Sequence, residues 1–567
     1  MPTLGIFQGK GGRIDWRRAG LKPTATFAEW DHAYTVRVKG SEIEVDSVSF
    51  NDAYFEKTLF GKVQDKVLAN VTPENATYPR FESNDLRMKI RDIAEGVDFD
   101  GGFTMQGAKL QGYGSREAPA YLTFMRDNRP FIIARGMVFT IAPDKITSES
   151  TGITVRLDND SIHHPSVSMR FRKDKKQLTC IKNNEGLSMA PFWDSYHQLD
   201  MQFEELRWKQ GDPLVEIGNL QGSAQTKTVY ESYNYFKESR YKAMLGIDAV
   251  HPISRLSDYQ KVAGDVFLAG DFAKFTKLQK PQVIPMMFDM AVKRYIDYDP
   301  ETETVHILPR LKEHSQASAR RMDYDALQFN SDVPDGVNGT INLLNNDLVL
   351  KGVARIILSD SQDVRIFPSE RTVTVKKDRD FSFGGKITAG RLNYFGKEYY
   401  FHYAPFIIDL LNVDSVSFYA DSFEPDANGE RPLVRVKNVL EKVTGTLEID
   451  APSNKSGIQT VMRDGRKEPR YPEFPKFNSA QESYVFYDRG DIQKGAYLRD
   501  KFYYKSDPFT IDSLDNFTNA GLTFTGTLNS GGIFPDIREP ITLQHDYALG
   551  FVRETGQGGL PLYGKKA

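Results

Sequence analysis

The chain has 567 residues, and its 73 lysines and arginines nearly balance 76 aspartates and glutamates, so no net field draws it to nucleic acid or an anionic membrane. Aromatic residues make up 12% of the chain, which together with many Val, Ile and Thr favours β-strands. The single cysteine, Cys180, excludes an internal disulfide and a cysteine-based zinc cluster. No apolar run reaches the roughly 18 residues of a membrane-spanning helix.

The two ends of the chain carry no recognisable targeting or capping sequence. Residues 1–4 run into Gly-rich, strand-like sequence without the charged and apolar regions of a signal peptide, and residues 560–567 stop in turn-and-strand sequence. We expect no signal peptide here and interpret both ends as cuts through a longer protein.

Residues 1–145 form the first of two predicted β-rich copies, marked by an identical hexapeptide, Val-Asp-Ser-Val-Ser-Phe, at 45–50 and 413–418. In this first copy Ile43, Val45, Val48 and Phe50 are apolar among polar neighbours, which is typical of a half-buried strand. Further matches follow in the same order in both copies: Gly-Gly-Arg/Lys-Ile at 11–14 and 384–387, a Gly-led triplet at 61–63 and 445–447, Tyr-Pro-x-Phe at 78–81 and 471–474, and Phe-x-Gly at 99–103 and 524–528. We interpret the pattern as a duplication with insertions, which loops accept at little entropic cost; coincidence between similar compositions is the alternative.

Residues 146–240 are predicted as a β-rich connecting region, with strands at 153–157, 167–171 and 177–181. The last of these contains Cys180, which we expect to be a small buried apolar group. The polar segment between the first two could supply oxygen and imidazole ligands to a metal, from Asp158, Asn159, Asp160, His163 and His164. We favour a polar turn, since Asn and Asp suit turn geometry.

A second constellation in this region could bind sugar by aromatic stacking and carboxylate chemistry: Glu204 and Glu205 near Trp193, Tyr196, His197 and Trp208. The two glutamates are adjacent, so in a strand they point to opposite faces and cannot flank one glycosidic bond. We therefore expect no catalysis there.

Residues 241–325 change to a helical period. Helices are predicted at 251–263, 270–278 and 281–295, followed by a turn and a strand at 304–308, an order that resembles a winged helix. Phosphate contacts could come from Lys274, Lys277, Lys280, Lys293 and Arg294. Because six aspartates dilute this basic stripe, we expect a small structural or protein-docking domain.

Residues 326–380 are predicted as short strands with regular turns, and residues 381–567 as the second β-rich copy. The segment from Glu424 to Gly429 looks like the start of a calcium loop, but Arg435 stands where a bidentate Glu is required. A hairpin tip is the better interpretation. No serine-nucleophile elbow, zinc-protease helix or phosphate-binding loop occurs in the sequence.

Segments spread over nearly the whole chain resemble a family of very large, uncharacterised envelope proteins of Bacteroidota-type Gram-negative bacteria. They are Tyr-Pro-Arg-Phe-Glu-Ser at 78–83, Phe-Asp-Gly-Gly-Phe at 99–103, Asp-Ser-Ile-His-His-Pro-Ser-Val at 160–167, Glu-Ser-Tyr-Asn-Tyr-Phe at 231–236 and Asp-Ala-Pro-Ser-Asn-Lys-Ser-Gly at 450–457. The resemblance implies an envelope location and carries over no catalytic residue. Residues 339–376 resemble, in pattern only, lipid-conducting β-groove proteins of the bacterial envelope.

The sequence thus predicts a mainly β chain with an elongated repeat, solenoid or stacked-sheet architecture, β-groove-like or jelly-roll-like, and a small winged-helix-like insert. We expect a non-enzymatic structural or assembly protein of the cell envelope, in the periplasm or at the outer-membrane periphery, which binds other envelope proteins. The alternatives are a lipid or lipopolysaccharide conduit and a glycan-binding or glycan-processing protein. No catalytic residue, metal, cofactor, nucleic-acid partner or transmembrane helix is predicted.

Overall fold

The structure, a computed structural model, describes residues 5–565 except 38–39, 53–54, 56–57, 86, 116, 247–248, 335 and 491. Strands account for 49% and helices for 13%, with large antiparallel sheets, so the prediction of a mainly β chain is confirmed. The terminal residues 1–4 and 566–567, on which the expectations about the chain ends partly rest, lie outside the described residues.

The first β-rich part is a series of antiparallel strands joined by short turns. They are β1 Ile6–Asp15, β2 Phe27–Arg37, β3 Glu42–Asn51, β4 Leu59–Lys66, β5 Arg80–Ser83, β6 Met88–Ala94, β7 Val97–Gln106, β8 Lys109–Tyr113, β9 Ala120–Arg126, β10 Arg129–Gly136, β11 Val138–Ile141, β12 Lys145–Leu157, β13 Asp160–Arg172, β14 Gln177–Ile181, β15 Phe192–Asp194, β16 Leu199–Gln202, β17 Glu205–Lys209, β18 Leu214–Gly218 and β19 Lys227–Ser232.

The predicted helical region contains helices and a small three-stranded sheet in which β22 lies between β20 and β21. The elements are α1 Glu238–Ala243, α2 Pro252–Ala263, β20 Val266–Leu268, α3 Ala269–Thr276, α4 Lys280–Val292, β21 Ile296–Asp299, β22 Thr304–Ile307 and α5 Pro309–Ser318. Their apolar faces form a hydrophobic core of their own, from Ile253 to Leu311. Residues 238–318 are called the insert below.

The chain then returns to antiparallel strands. They are β23 Gln328–Asp332, β24 Val337–Asn342, β25 Asp347–Leu350, β26 Ile356–Ser359, β27 Val364–Pro368, β28 Val373–Val375, β29 Phe381–Ala389, β30 Leu392–His402, β31 Ile407–Asp421, β32 Leu433–Glu448, β33 Thr460–Arg463, β34 Arg466–Pro469, β35 Lys476–Ser479, β36 Ser483–Phe486, β37 Tyr503–Ser506, β38 Thr510–Ile511, β39 Thr523–Phe524, β40 Gly526–Asn529, β41 Ile537–Arg538, β42 Ile541–Leu543 and β43 Leu549–Gly550.

One hydrophobic core runs through the β-rich parts on both sides of the insert, from Trp16 to Leu549. Long strands change neighbours along their length, and this keeps the core continuous. In β12, for example, Thr147 pairs with β11 whereas Val155 pairs with β10, with register shifts around Thr151. Such bulges bend a strand and redirect its side chains.

The repeated hexapeptide lies in the third strand of two four-strand runs, β1 to β4 and β29 to β32, each paired in chain order. Val45, Val48 and Phe50 are buried, and so are their counterparts Val413, Val416 and Phe418. The alternation therefore serves packing in both places. The register between the hexapeptide and the Gly-Gly motif nevertheless differs by two residues between the runs. In the first run, Ile14 and Phe50 both lie opposite Ala28. In the second run, Ile387 and Val416 both lie opposite Tyr394, and Val416 is the counterpart of Val48.

The glycines at 61 and 445 occupy comparable places in β4 and β32. A Cβ on either glycine would lie 2.1 Å from a backbone oxygen of the next strand, so both close approaches require glycine. Gly61 pairs with Ser83 and Gly445 pairs with Ser479.

Two of the predicted matches are corrected by the strand pairing. Phe81 in β5 lies opposite Val63 of β4, and Phe477 in β35 lies opposite Leu447 of β32. By this pairing Phe81 corresponds to Phe477, not to Phe474. Phe99 and Phe524 do not correspond either, since Phe99 pairs with β6 and β9 whereas Phe524 pairs with β42. The duplication itself stays a prediction.

Candidate functional site

The first strand, β1, is an edge of the main sheet. Within the described residues it pairs on one side only, with β2, from Ile6 opposite Arg37 to Asp15 opposite Phe27. With 10 residues it is the longest described strand that has one strand partner; β6, with 7, comes next. An edge of this kind presents a row of backbone N–H and C=O groups to another polypeptide.

The two halves of β1 differ in how firmly they are anchored. At its end, Ile14 packs against the core, and Trp16, which follows the strand, is fully buried with its ring 5.2 Å from that of Phe50. At its start, the side chains of Ile6 and Phe7 are 47% and 60% exposed. The first half of the free β1 edge is therefore apolar and accessible, whereas its second half packs against the core.

A bulge separates these halves. The register of β1 against β2 shifts between Lys10 and Gly12, and Gly11 has a φ of +67°, in the left-handed region that favours glycine. A Cβ on Gly12 would lie 2.6 Å from the ring of Trp30. The Gly-Gly motif found in the sequence thus fixes the shape of this edge.

The strand that carries the second Gly-Gly motif, β29, has a similar bulge but is paired on both sides. In β29 the register against β30 shifts between Phe383 and Gly385, as it does in β1 around Gly11. The other side of β29 is covered by β27, from Val364 opposite Ala389 to Pro368 opposite Gly385, and by β28. The corresponding side of β1 has no such strand among the residues that the structure describes.

The residues considered as metal ligands do not converge. Asp158 and Asn159 form the two-residue turn between β12 and β13, with Asp158 at φ +54°, as the turn interpretation expected. His164 is fully buried, its Nε2 lies 2.9 Å from the carbonyl oxygen of Ala190, and its Nδ1 accepts the N–H of Ser166. Burial lowers the pKa of His164 to about 3, so it is a neutral core residue.

The predicted sugar-binding residues are likewise distributed over different surroundings. Trp208 is buried in the core with its ring 4.9 Å from that of Phe131. His197 is fully buried, with its Nδ1 2.6 Å from the Oδ2 of Asp194. The carboxylate of Glu204 accepts the N–H of Leu220.

Most of the basic residues considered as phosphate contacts in the insert are neutralised within the chain. Lys274 pairs with Asp271 at 2.9 Å, Lys280 pairs with Glu303 at 2.7 Å, and Lys293 pairs with Asp289. Arg294 pairs with Asp200, and Lys277 directly follows the last residue of α3 as its C-cap.

Asp200 is a feature that the sequence did not single out, and it fastens the insert to the β-rich part. Its side chain is 8% exposed and forms ion pairs with Arg294 and Arg310, both from the insert. The Arg294 guanidinium also lies over the Trp193 ring, 3.9 Å from its centroid. A lone Asp in a short strand carries no signal for this role, because its partners lie about a hundred residues away in the chain.

A second polar junction involves the segment at 450–457 and the residues just after the insert. Asp450 is buried and accepts hydrogen bonds from the side chains of Gln362 and Asn454. The backbone N–H groups of Lys455 and Ser456 donate to Asp323, just after the insert. The segment at 454–457 therefore holds the residues at which the chain returns from the insert.

Two further expectations concern the segment at 424–429 and Cys180, and two general findings follow them. Residues 424–429 lie in the connection between β31 and β32, as predicted for a hairpin tip. Cys180 is fully buried in β14, and burial raises the pKa of its thiol. Among the described residues, no three His, Cys, Asp or Glu side chains are grouped to hold a metal ion, and no helix has the length and apolar character to cross a membrane.

No protein-family model matches the chain, and no curated protein matches its sequence.

Proposed function

We propose that this chain is a non-enzymatic structural or assembly protein of the bacterial cell envelope, at the periplasmic or outer-membrane periphery, which binds other proteins through its β scaffold. The observation that carries the proposal is the one-sided pairing of β1. An extended segment of a partner can add to such an edge, with backbone hydrogen bonds supplying affinity and alternate side chains supplying specificity.

The chain itself indicates what the partner segment looks like. On β29, the strand that carries the second Gly-Gly motif, β27 presents Val364, Ile366 and Pro368 to the core, while Arg365 and Phe367 face outward. An antiparallel segment with branched apolar residues at alternate positions is therefore the partner chemistry that this edge fits.

Packing of the inner faces favours a scaffold over the alternative of a lipid or lipopolysaccharide conduit. A conduit needs accessible apolar surface along its length. The inward side chains of the second β-rich part, such as Tyr394, Phe401 and Phe418, are fully buried in the hydrophobic core.

The aromatic contacts also favour a scaffold over the alternative of a glycan-binding protein. The ring of Trp193 lies under the Arg294 guanidinium, and the ring of Trp208 packs against that of Phe131, so both rings are already in contact with other side chains.

We further propose that the insert is a winged-helix-like docking domain and that the two four-strand runs arose by duplication. The order helix, strand, helix, helix, strand, strand from α2 to β22 resembles that of a winged helix, which supports this proposal. Lys274 and Lys280 are paired with neighbouring carboxylates, which supports protein docking rather than nucleic-acid binding. An elongated, repeat-built scaffold would follow from the duplication.

Site-specific photo-crosslinking tests the proposal in the bacterium that makes the protein. A photoreactive phenylalanine analogue replaces Phe7 in β1 or, as the matched control, Phe60 in β4. The two side chains are 60% and 61% exposed, but β4 is paired on both sides, with β3 and β5. We expect a discrete protein adduct from position 7 and none from position 60.

The substitution Phe7→Lys supplies a second readout, because a charge on an edge strand opposes pairing without disturbing a buried contact. It should abolish copurification of the crosslinked protein, whereas Phe60→Lys should leave it intact. Equal adducts from both positions, or copurification that survives Phe7→Lys, would contradict the proposal.

A further inference from the structure

A cavity of about 260 Å³ lies where the chain leaves the insert and where the exposed hairpin β33–β34 begins and ends. Its polar lining comes from both segments: Arg320, Arg321, Asp323, Gln459, Thr460 and Arg470. The volume lies just below the range of pockets for drug-sized ligands, so it suits one small group rather than a large ligand.

The three arginines of this cavity carry more positive charge than the one carboxylate in its lining offsets. Among the described residues, no carboxylate forms an ion pair with Arg320, Arg321 or Arg470; Arg470 donates to the side-chain oxygen of Gln459 at 3.1 Å. This differs from the insert, where Lys274 and Lys280, for example, are paired with carboxylates.

The one carboxylate in the lining is engaged elsewhere. Asp323 accepts the N–H groups of Lys455 and Ser456 at 2.5 and 3.3 Å, and also the hydroxyl of Ser456. Because these donors hold its oxygens, Asp323 is not available to pair with the three arginines. The cavity lining therefore holds three arginines and one carboxylate, which leaves an excess of positive charge.

The hairpin extends the basic surface and adds apolar side chains. Arg463 and Arg466 pair across its tip, next to Asp464, and Glu468 is the acidic residue on their face. Three apolar side chains in this region are exposed: Met322 by 43% and Ile458 by 36% in the cavity lining, and Met462 by 69% on the hairpin.

We propose that this cavity binds a phosphate group. Planar guanidinium groups donate paired hydrogen bonds to phosphate oxygens. Three arginines that line one small cavity suit a phosphate ligand, with its several charged oxygens, better than a ligand with a single carboxylate. Two sources share this chemistry: free phosphate, and the headgroup of an anionic lipid, for which the exposed methionines and Ile458 offer apolar contacts. The inference does not depend on the free edge of β1.

The test uses the whole chain and two probes. Calorimetry measures binding of inorganic phosphate, and co-sedimentation measures binding to phosphatidylcholine vesicles with and without phosphatidylglycerol. The binding variant is Arg320→Gln/Arg321→Gln/Arg470→Gln. The control, Arg91→Gln/Arg355→Gln/Arg431→Gln, removes the same charge from exposed arginines elsewhere.

We expect the binding variant to weaken binding of at least one probe by tenfold or more, since one hydrogen bond to a charged group is worth about tenfold in affinity, and we expect the control to bind as the parent does. Response to phosphate alone identifies free phosphate, and response only to phosphatidylglycerol vesicles identifies a lipid headgroup. The double variant Arg320→Gln/Arg321→Gln, which leaves the Arg470 contact with Gln459 intact, should also weaken binding. Absence of binding to both probes, or equal loss in the binding and control variants, would overturn the proposal.

Discussion

Asn in place of Asp200 is expected to loosen the insert from the β-rich part. The carboxylate is 8% exposed, and it pairs with Arg310 and Arg294, whose side chains are 9% and 17% exposed. Removing one partner of a buried ion pair costs about 3–5 kcal/mol, because the remaining charge stays buried without compensation. Here two guanidinium groups remain, although Arg310 also donates to the carbonyl oxygen of Lys293 at 3.1 Å. We therefore expect a cost of about 3 kcal/mol, at the lower end of that range.

Urea denaturation followed by fluorescence measures this cost, because Trp193 lies under the Arg294 guanidinium and reports on the junction. The double variant Asp200→Leu/Arg310→Met removes a charge from each side, so its cost should be smaller than the sum of the two single substitutions. The reasoning would be refuted if Asp200→Asn changed the unfolding free energy of the junction by less than about 0.5 kcal/mol, the range of ordinary surface substitutions.

Three other substitutions or conditions test the packing. Phe50→Ala should destabilise the first β-rich part by about 3–5 kcal/mol in denaturant unfolding, because the Phe50 ring is fully buried and stacked 4.1 Å from that of Phe81; a cost below about 1 kcal/mol would contradict its core position. Gly61→Ala should lower the midpoint of thermal unfolding whereas Gly490→Ala should not, since a Cβ meets backbone at 2.1 Å at Gly61 and nothing within 4 Å at Gly490. Stability should fall as pH drops from about 6.5 towards 3: burial lowers the pKa of His164 to about 3, so below about 6.5 the unfolded chain binds a proton that the folded chain does not. Urea midpoints across this range should fall less steeply in His164→Asn, and identical pH profiles would contradict the assignment.

Local periodicity was sufficient to predict the strand that contains Val45 to Phe50 and three of the helices of the insert. The pattern around Val45, Val48 and Phe50 predicted a half-buried strand, and these side chains are buried in β3. The helical period between the β-rich parts predicted α2, α3 and α4 within a few residues of their observed bounds. Both signals depend only on which residues share a face, which is a local property.

Strand partners could not be predicted in this way, because pairing is non-local. Sequence similarity matched Phe81 with Phe474, whereas the pairing of each strand with the one before it in the sheet matches Phe81 with Phe477. The free edge of β1, the Asp200 ion pairs and the arginine cavity depend on residues far apart in the chain. The Gly-Gly motif was a usable signal for a bulge, but not for the side of β1 that lacks a neighbour.

Hydrogen–deuterium exchange of the β1 backbone tests the central claim most directly, with β29 as the internal reference. In the isolated chain at low concentration, the outward amides of β1 should exchange rapidly and those of β29 slowly, because only β29 is paired on both sides. In the complex captured through position 7, the β1 amides should become as protected as those of β29. Equal protection of both strands in the isolated chain, or β1 amides that stay unprotected in the complex, would contradict a protein-binding edge.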